Sequence, residues 1–318
     1  MPISTQPPTD EHPSGPHPDN QFPELEHFRV PNIPPAAYYI PDFITEEEEV
    51  YILRKKALSR NGNRSAAVDG ELVDSFLRSI LIAETGSGRL QYWGGTLSKS
   101  GVLLPEALPS FLTTFPDIIE RIESMLDMAG TEKRSAIVKG KERALGINQV
   151  LVNEYQPGQG ISPHEDGGAF RPLVATVSLG SHTVLDIHHY LSPTSPSPPM
   201  TASASTSLEG KSIAAIPLAH LLLLPRSLLI LTSSLYSSHL HGITPLVNDV
   251  ISRDPGSEPN GGRIVIANKD QLGDADILDR LRDEGRWEQE RSTRTSLTFR
   301  RAEKVFRGGA ALGGLRRG

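Results

Sequence analysis

His164 and Asp166 stand two residues apart in "NQVLVNEYQPGQGISPHEDGG", the stretch from Asn148 to Gly168. In an extended segment residues i and i+2 point to the same side, so this imidazole and carboxylate aim at one point while Glu165 faces away. A neutral imidazole and a carboxylate suit a borderline divalent cation. A second histidine would complete a face of two His and one carboxylate with open positions opposite, the geometry of non-haem Fe(II) centres that use O2. H-x-D alone is a weak signal, because Asp166 would serve equally well to organise the turn before Gly167-Gly168. The third ligand must come from a strand that closes the barrel. His239 and His241 of "SSHLHGITP" share one face, and periodicity does not choose between them. His188, His189 and His220 read more simply as satisfied or solvated histidines.

The run "RTSLTFR" adds a second kind of chemistry. Alternation puts Arg294, Ser296, Thr298 and Arg300 on one face, with Thr295, Leu297 and Phe299 on the other. Two inward arginines are costly inside a barrel unless anions pair with them. A dicarboxylate held by the metal at one end and a guanidinium at the other meets that need, since Arg binds carboxylates bidentately. Asn153 and Tyr155 share a face of the strand before His164 and can hydrogen-bond the same acid. The plain alternative sets both arginines on a solvated face and leaves Leu297 and Phe299 as the core set.

These residues need a scaffold of strands. The 318-residue chain is long enough for one large domain or two small ones. With 28 Gly and 26 Pro it favours turns over long helical bundles. It has no cysteine, which excludes disulfides, thiolate metal sites and cysteine nucleophiles, so any metal falls to His, Asp or Glu. A net charge of -6 means that any nucleic-acid binding must use a local basic patch. The start of the chain lacks the basic-then-apolar pattern of a secretory signal. "HLLLLPRSLLILT" is broken by Pro225 and Arg226, so no membrane span is expected. The expectation is an intracellular protein.

Residues 1–22 read as a disordered, Pro-rich tail. Thr45 and Glu48 form a capping box that starts a helix running to about Leu58. "VDGELVDSFLRSILIAE" reads as a short helix. "QYWGGTLSKSGVLLPEALPSFL" reads as a strand, a loop and a Pro-started helix from about 105, and "PDIIERIESMLDMAG" as a helix ending at Gly130. From Ile147 the texture changes to short runs: "INQVLVNEY", "LVATVSL", "TVLDIHHY", "HLLLL", "SLLILTS", "GRIVIAN" and "TRTSLTFRR". Many short strands in series predict an antiparallel sandwich or barrel. A low-complexity loop at 191–212 and a polar stretch at 247–293, with a helix near "DADILDRLRDEGRWEQ", interrupt the series.

"NEYQPGQGISPHEDG", "VSLGSHTVLD", "LHGI" and "RTSLTFRR" resemble the motifs of the AlkB-type Fe(II)- and 2-oxoglutarate-dependent dioxygenases, most nearly the eukaryotic alkB homolog 6 branch. "HFRV", "YYIPDFITEEEE" and "LQYWGG" extend the likeness upstream, so that it covers most of 27–307. The resemblance implies an α+β, mainly β fold: a double-stranded β-helix, or jelly roll, with N-terminal helices packed on it. It implies a dioxygenase domain over 23–307, with insertions at 191–212 and 247–293 and a basic tail at 308–318. It implies His164, Asp166 and His241 as ligands of Fe(II), His241 being preferred to His239 because the family's distal histidine precedes Gly. It implies Asn153, Tyr155, Arg294, Ser296 and Arg300 as contacts of 2-oxoglutarate, used with O2. Ser296 stands where many relatives carry Asn, and the spacer from His241 to Arg294 is long. Arg253, twelve positions beyond His241, competes as the acid's anchor but lies in a loop-like stretch.

The implied reaction is oxidative demethylation of an alkylated nucleobase in DNA or RNA, by a monomer of the nucleus and cytoplasm. Tyr92 and Trp93 can offer an aromatic platform for the base, although Trp93 against Gly94-Gly95 also reads as structural. "EKVFRGGAALGGLRRG" can contact phosphate, or be a solvated terminus. A protein or small-molecule hydroxylase on the same iron core, and a nucleic-acid-binding module with little turnover, are the competing readings. Succinate production with candidate substrates separates demethylase from hydroxylase; oligonucleotide binding that survives His164→Ala and Asp166→Ala, with no 2-oxoglutarate consumed, marks the binding module.

Overall fold

The structure of the chain, a computed structural model, describes residues 25–34, 36–62, 89–129, 145–191, 212–253 and 264–307. In chain order the strands are β1 (Ala37–Ile40), β2 (Arg89–Trp93), β3 (Gly95–Leu97), β4 (Val102–Pro105), β5 (Gln149–Tyr155), β6 (Ile161–His164), β7 (Leu173–Leu179) and β8 (Thr183–His189). They continue as β9 (Ala219–Leu223), β10 (Leu228–Thr232), β11 (His239–Ile243), β12 (Asn248–Ser252), β13 (Arg286–Glu290), β14 (Arg294–Arg300) and β15 (Lys304–Val305). The helices are α1 (Glu46–Gly62), α2 (Ser110–Thr113), α3 (Ile118–Ala129), α4 (Ser233–Ser237) and α5 (Ala275–Asp283).

Two antiparallel sheets make the core. The larger has the order β1-β10-β7-β14-β5-β2 and the smaller β6-β11-β8-β9, a jelly roll of the kind the strand series predicts. Strands β1 and β10 are apolar at both parities because both faces of the larger sheet are covered. Val150 and Val152 of β5, Ala175 and Val177 of β7, and Leu297 and Phe299 of β14 pack outward with Ile52, Leu112, Ile118, Ile122 and Met125 of the helical layer. Each such side chain, fully buried, stabilises the fold by about 1.5–3 kcal/mol. The alternate positions, among them Leu151, Asn153 and Tyr155, look inward toward the smaller sheet.

Helix α1 starts at the expected box: Thr45 N donates to Glu48 Oε2 at 2.9 Å, and Glu48 N to Thr45 Oγ1 at 3.3 Å. It continues past Leu58 to Gly62. Lys56 ties it to the sheet, donating to Glu154 Oε2 at 2.6 Å and Thr295 Oγ1 at 2.7 Å.

Three readings of the sequence need correction. Residues 102–105 are strand β4 rather than the start of a helix. The turn at Ser98–Gly101 folds them back on β3, with Ser98 N donating to Val102 O at 2.8 Å, and the helix is a single turn from Ser110. The described part of "GRIVIAN", from Ile264, forms no strand: among its described residues Ile264 and Ile266 make isolated bridges. The stretch 247–293 is more than loop, for it carries the antiparallel pair β12–β13 and helix α5, and buries Ile277, Leu281 and Trp287. The helix expected over 68–84, the tails and nearly all of the 191–212 loop lie outside the described residues. No described helix is long and apolar enough to cross a membrane.

Candidate active site

Strands β6 and β11 bring two histidines together. His164 and His241 are Cα partners in that ladder, and their ring centroids lie 4.5 Å apart. Asp166 follows β6 by two residues, its Oδ2 3.9 Å from His241 Nε2. One ligand atom from each of the three lies within 4.8 Å of the other two. His239 is opposite His189 rather than His164, and its Nδ1 donates to the Ser234 carbonyl at 2.7 Å, so it stands outside this cluster.

The protonation states suit a cation. His164 Nδ1 lies 2.9 Å from the Ser162 carbonyl, which can only accept; the ring proton is therefore on Nδ1 and the Nε2 lone pair is free to ligate. Burial pulls the His241 imidazole down to about 4, helped by His164 and opposed by Asp166, so the ring is neutral at pH 7. Two imidazoles and a carboxylate are a donor set that fits Fe(II).

Beside the cluster lies a narrow cavity of about 60 Å³ between the sheets. Leu185, Leu229, Leu231 and Ile243 wall it, while Asn153, Tyr155, Arg294, Ser296 and Thr298 supply its polar groups. Register explains the grouping: Arg294 is opposite Tyr155 and Ser296 opposite Asn153. Arg294 is only 4% exposed, which excludes the solvated-face alternative. Its Nη2 donates to Ser178 Oγ at 2.9 Å and its guanidinium lies 5.8 Å from the Tyr155 ring centre. Its Nε is buried without a hydrogen-bond partner among the described residues, as is Asn153 Oδ1. Burial lowers the guanidinium to about 10, which still leaves it charged at neutral pH, and drives the Tyr155 phenol up to about 12. A buried cation with an unfilled donor fits the carboxylate of an acid entering the cavity.

Arg300 is also buried, but at the metal end. Its Nε donates to Gln149 Oε1 at 2.8 Å, its Nη1 lies 3.9 Å from Asp166 Oδ1, and it stacks 4.0 Å from the Phe170 ring centre. Arg253 is exposed and donates to the Arg282 carbonyl, well apart from the cavity lining. Tyr92 is half-buried on the inward parity opposite Leu151. The expectation that Trp93 offers a platform is corrected: opposite parity places it in the helical-side core, with its ring 5.3 Å from Phe111. Sequence reasoning missed Ser178, which only the β7–β14 register reveals, and Tyr236, whose hydroxyl donates to the Gly167 carbonyl at 3.1 Å.

No family model matches the chain. It is 33% identical over 290 residues to the probable RNA/DNA demethylase ALKBH6 of Danio rerio, covering 91% of this chain and 95% of that protein. It is 25% identical over 282 residues to the tRNA (carboxymethyluridine(34)-5-O)-methyltransferase alkbh8 of Xenopus tropicalis, covering 85% of this chain and 32% of that protein. Among solved structures, that of OsALKBH1 aligns with 85% of this chain and 98% of its own at 15% identity and a TM-score of 0.37.

Proposed function

The chain belongs to the AlkB-like family of Fe(II)- and 2-oxoglutarate-dependent dioxygenases, and from that premise we propose that it oxidatively demethylates alkylated nucleobases in DNA or RNA. The relative named a probable RNA/DNA demethylase covers nearly its whole length, which supports that substrate class. In this reading His164, Asp166 and His241 hold Fe(II). Arg294 takes the far carboxylate of 2-oxoglutarate, with Tyr155, Asn153 and Ser296 around the same acid and Arg300 at its metal end. Fe(II) held there would supply, with O2, the oxidation that couples decarboxylation of 2-oxoglutarate to succinate and CO2 with hydroxylation of the N-methyl carbon, the product then losing formaldehyde and leaving the nitrogen with a proton.

The protein's part is placement and exclusion of water. The hydrogen bond from His164 Nδ1 to the Ser162 carbonyl aims the opposite nitrogen at the metal. The Arg294–Ser178 contact fixes the acid's anchor, and the leucine walls keep the cavity dry. A duplex base is out of reach of such a site and must be unstacked, which leaves Tyr92, on the inward parity, as the candidate aromatic contact.

The observation that carries this reading is the buried Arg294, which has no carboxylate partner among the described residues and shares a cavity with the two histidines and Asp166. The test is turnover on a panel of N-methylated single- and double-stranded oligonucleotides. Fe(II)-dependent formaldehyde and succinate in equal amounts are expected from at least one of them. Succinate that stays at its oligonucleotide-free level, with no formaldehyde from any member, would overturn the proposal.

A further inference from the structure

Lys304, Phe306 and Arg307 follow the last core strand, lie outside the cavity lining described above, and sit on or beside a small sheet that adjoins the site. β15 pairs in parallel with β4, and β4 with β3, in the order β15-β4-β3. One face of this sheet is closed: Leu103, Leu97 and Val305 pack on Phe170 and Ala302. The opposite parity is open among the described residues, with Leu104 40% exposed and Thr96 and Lys304 exposed beside it.

Phe306 extends this face. Its N–H donates to the Leu103 carbonyl at 2.8 Å, one residue beyond β15, and its side chain is 56% exposed. Lys304 and Arg307 flank it, both exposed and neither ion-paired among the described residues. The neighbouring acid Glu303 is held by Arg171 at 3.0 Å; Glu106 lies just past β4. An exposed phenyl ring between two uncommitted cations is an unusual patch on a chain of net charge -6. It is also close to the chemistry, since Phe170 beneath the sheet stacks on Arg300, whose Nη1 lies 3.9 Å from Asp166 Oδ1.

A ring open to solvent offers a π-face to an unstacked base, and flanking cations match the phosphates on either side of it. A duplex keeps its bases stacked and has no use for the ring. We propose that the open face of β15-β4-β3 binds single-stranded nucleic acid, with Phe306 as the stacking platform and Lys304 and Arg307 as phosphate contacts. It rests on the reading that the substrate is a nucleic acid.

The experiment uses the full chain and unmodified, fluorescent fifteen-residue oligo-dT and oligo-U, read by anisotropy across a salt series. Phe306→Ala should weaken binding about tenfold, and Phe306→Trp should restore it. Lys304→Gln with Arg307→Gln should flatten the plot of log affinity against log salt by about 1.4, the value for two single-strand phosphate contacts. Thermal unfolding checks that each variant is folded. Affinity unmoved by these variants overturns the proposal, as does a duplex bound as tightly as the single strand. Capture of poly-glutamate in place of the oligonucleotides also overturns it, in favour of an acidic protein partner. Because unmodified strands need no turnover, failure of the demethylase reading is separate: it shows as absent formaldehyde with binding intact.

Discussion

Arg294 brings a positive charge into a leucine-walled cavity, where a cation without an anion costs several kcal/mol. Arg294→Met keeps most of the stem and removes the charge. The 2-oxoglutarate KM, from initial rates of succinate formation, should rise at least tenfold, which is about 1.4 kcal/mol or more; an unchanged KM would move the anchor elsewhere. Ser178 accepts from Arg294 Nη2 and touches nothing that reacts, so it is a positioning residue. Ser178→Ala should raise the same KM roughly three- to tenfold and leave kcat alone, the usual net worth of an intramolecular hydrogen bond. A loss confined to kcat would contradict that role. At this scale much was legible. His164 and Asp166 at i, i+2 and the alternating polar groups of "RTSLTFR" follow from strand geometry alone. Ser178 was not, because "LVATVSL" carries Val174, Thr176 and Ser178 on one parity with no sign of their partner, and only the pairing of β7 with β14 brings Ser178 to Arg294.

Strands β6 and β11 approach more closely than most side chains permit. A Cβ on Gly160 would meet the Ile243 carbonyl oxygen at 2.1 Å, and one on Gly242 the Ile161 carbonyl oxygen at 3.0 Å. Gly160→Ala must therefore push the two strands apart at the Ile161–Ile243 end of the ladder that also pairs His164 with His241. Fe(II) affinity, measured by anaerobic calorimetry, should fall at least tenfold, on the scale of the 10- to 100-fold losses seen when the groups that orient metal ligands are disturbed. Affinity equal to that of the parent would show that the ladder does not set the ligand spacing. Element by element, the capping box at Thr45 and Glu48 gave the start of α1, because reciprocal side-chain bonds are local and need no tertiary context. The strand at 102–105 was hidden by Pro105 and Pro109, which look like a helix start until the Ser98–Gly101 turn is seen to close a hairpin.

At the scale of the molecule, the stretch 247–293 is held to the jelly roll by a buried ionic cluster. Arg291 donates to both oxygens of Asp249 at 2.7 Å, and His182 Nε2 lies 3.2 Å from Asp249 Oδ2. Arg291 also donates to the Thr244 carbonyl, just beyond the strand that carries His241, at 2.9 Å. Although burial alone would raise it, the bonds from Arg291 and His182 hold the Asp249 carboxyl below its ordinary value of 3.8. Its stabilising share is therefore present above pH 3.8 and is lost as pH falls through the lower, folded value. Asp249→Asn should lower the Tm by several degrees at pH 7, because breaking a buried pair costs about 3–5 kcal/mol. It should also lose less stability than the parent as the solution is taken below that pH; matching acid profiles would contradict the assignment. Of this unit the sequence showed the helix alone, because the polar and charged residues around Val250-Ile251 and Trp287 leave the β12–β13 pair without an apolar run. The claim on which the account turns is that three side chains from separate strands and turns gather one Fe(II) beside Arg294. It is tested most directly by anaerobic titration of Fe(II), then 2-oxoglutarate, into the parent, Asp166→Ala and Arg294→Met. The account predicts one Fe(II) per chain with 2-oxoglutarate following it in the parent, neither in Asp166→Ala, and iron without tight acid binding in Arg294→Met. Equal Fe(II) affinity in the parent and Asp166→Ala would contradict it.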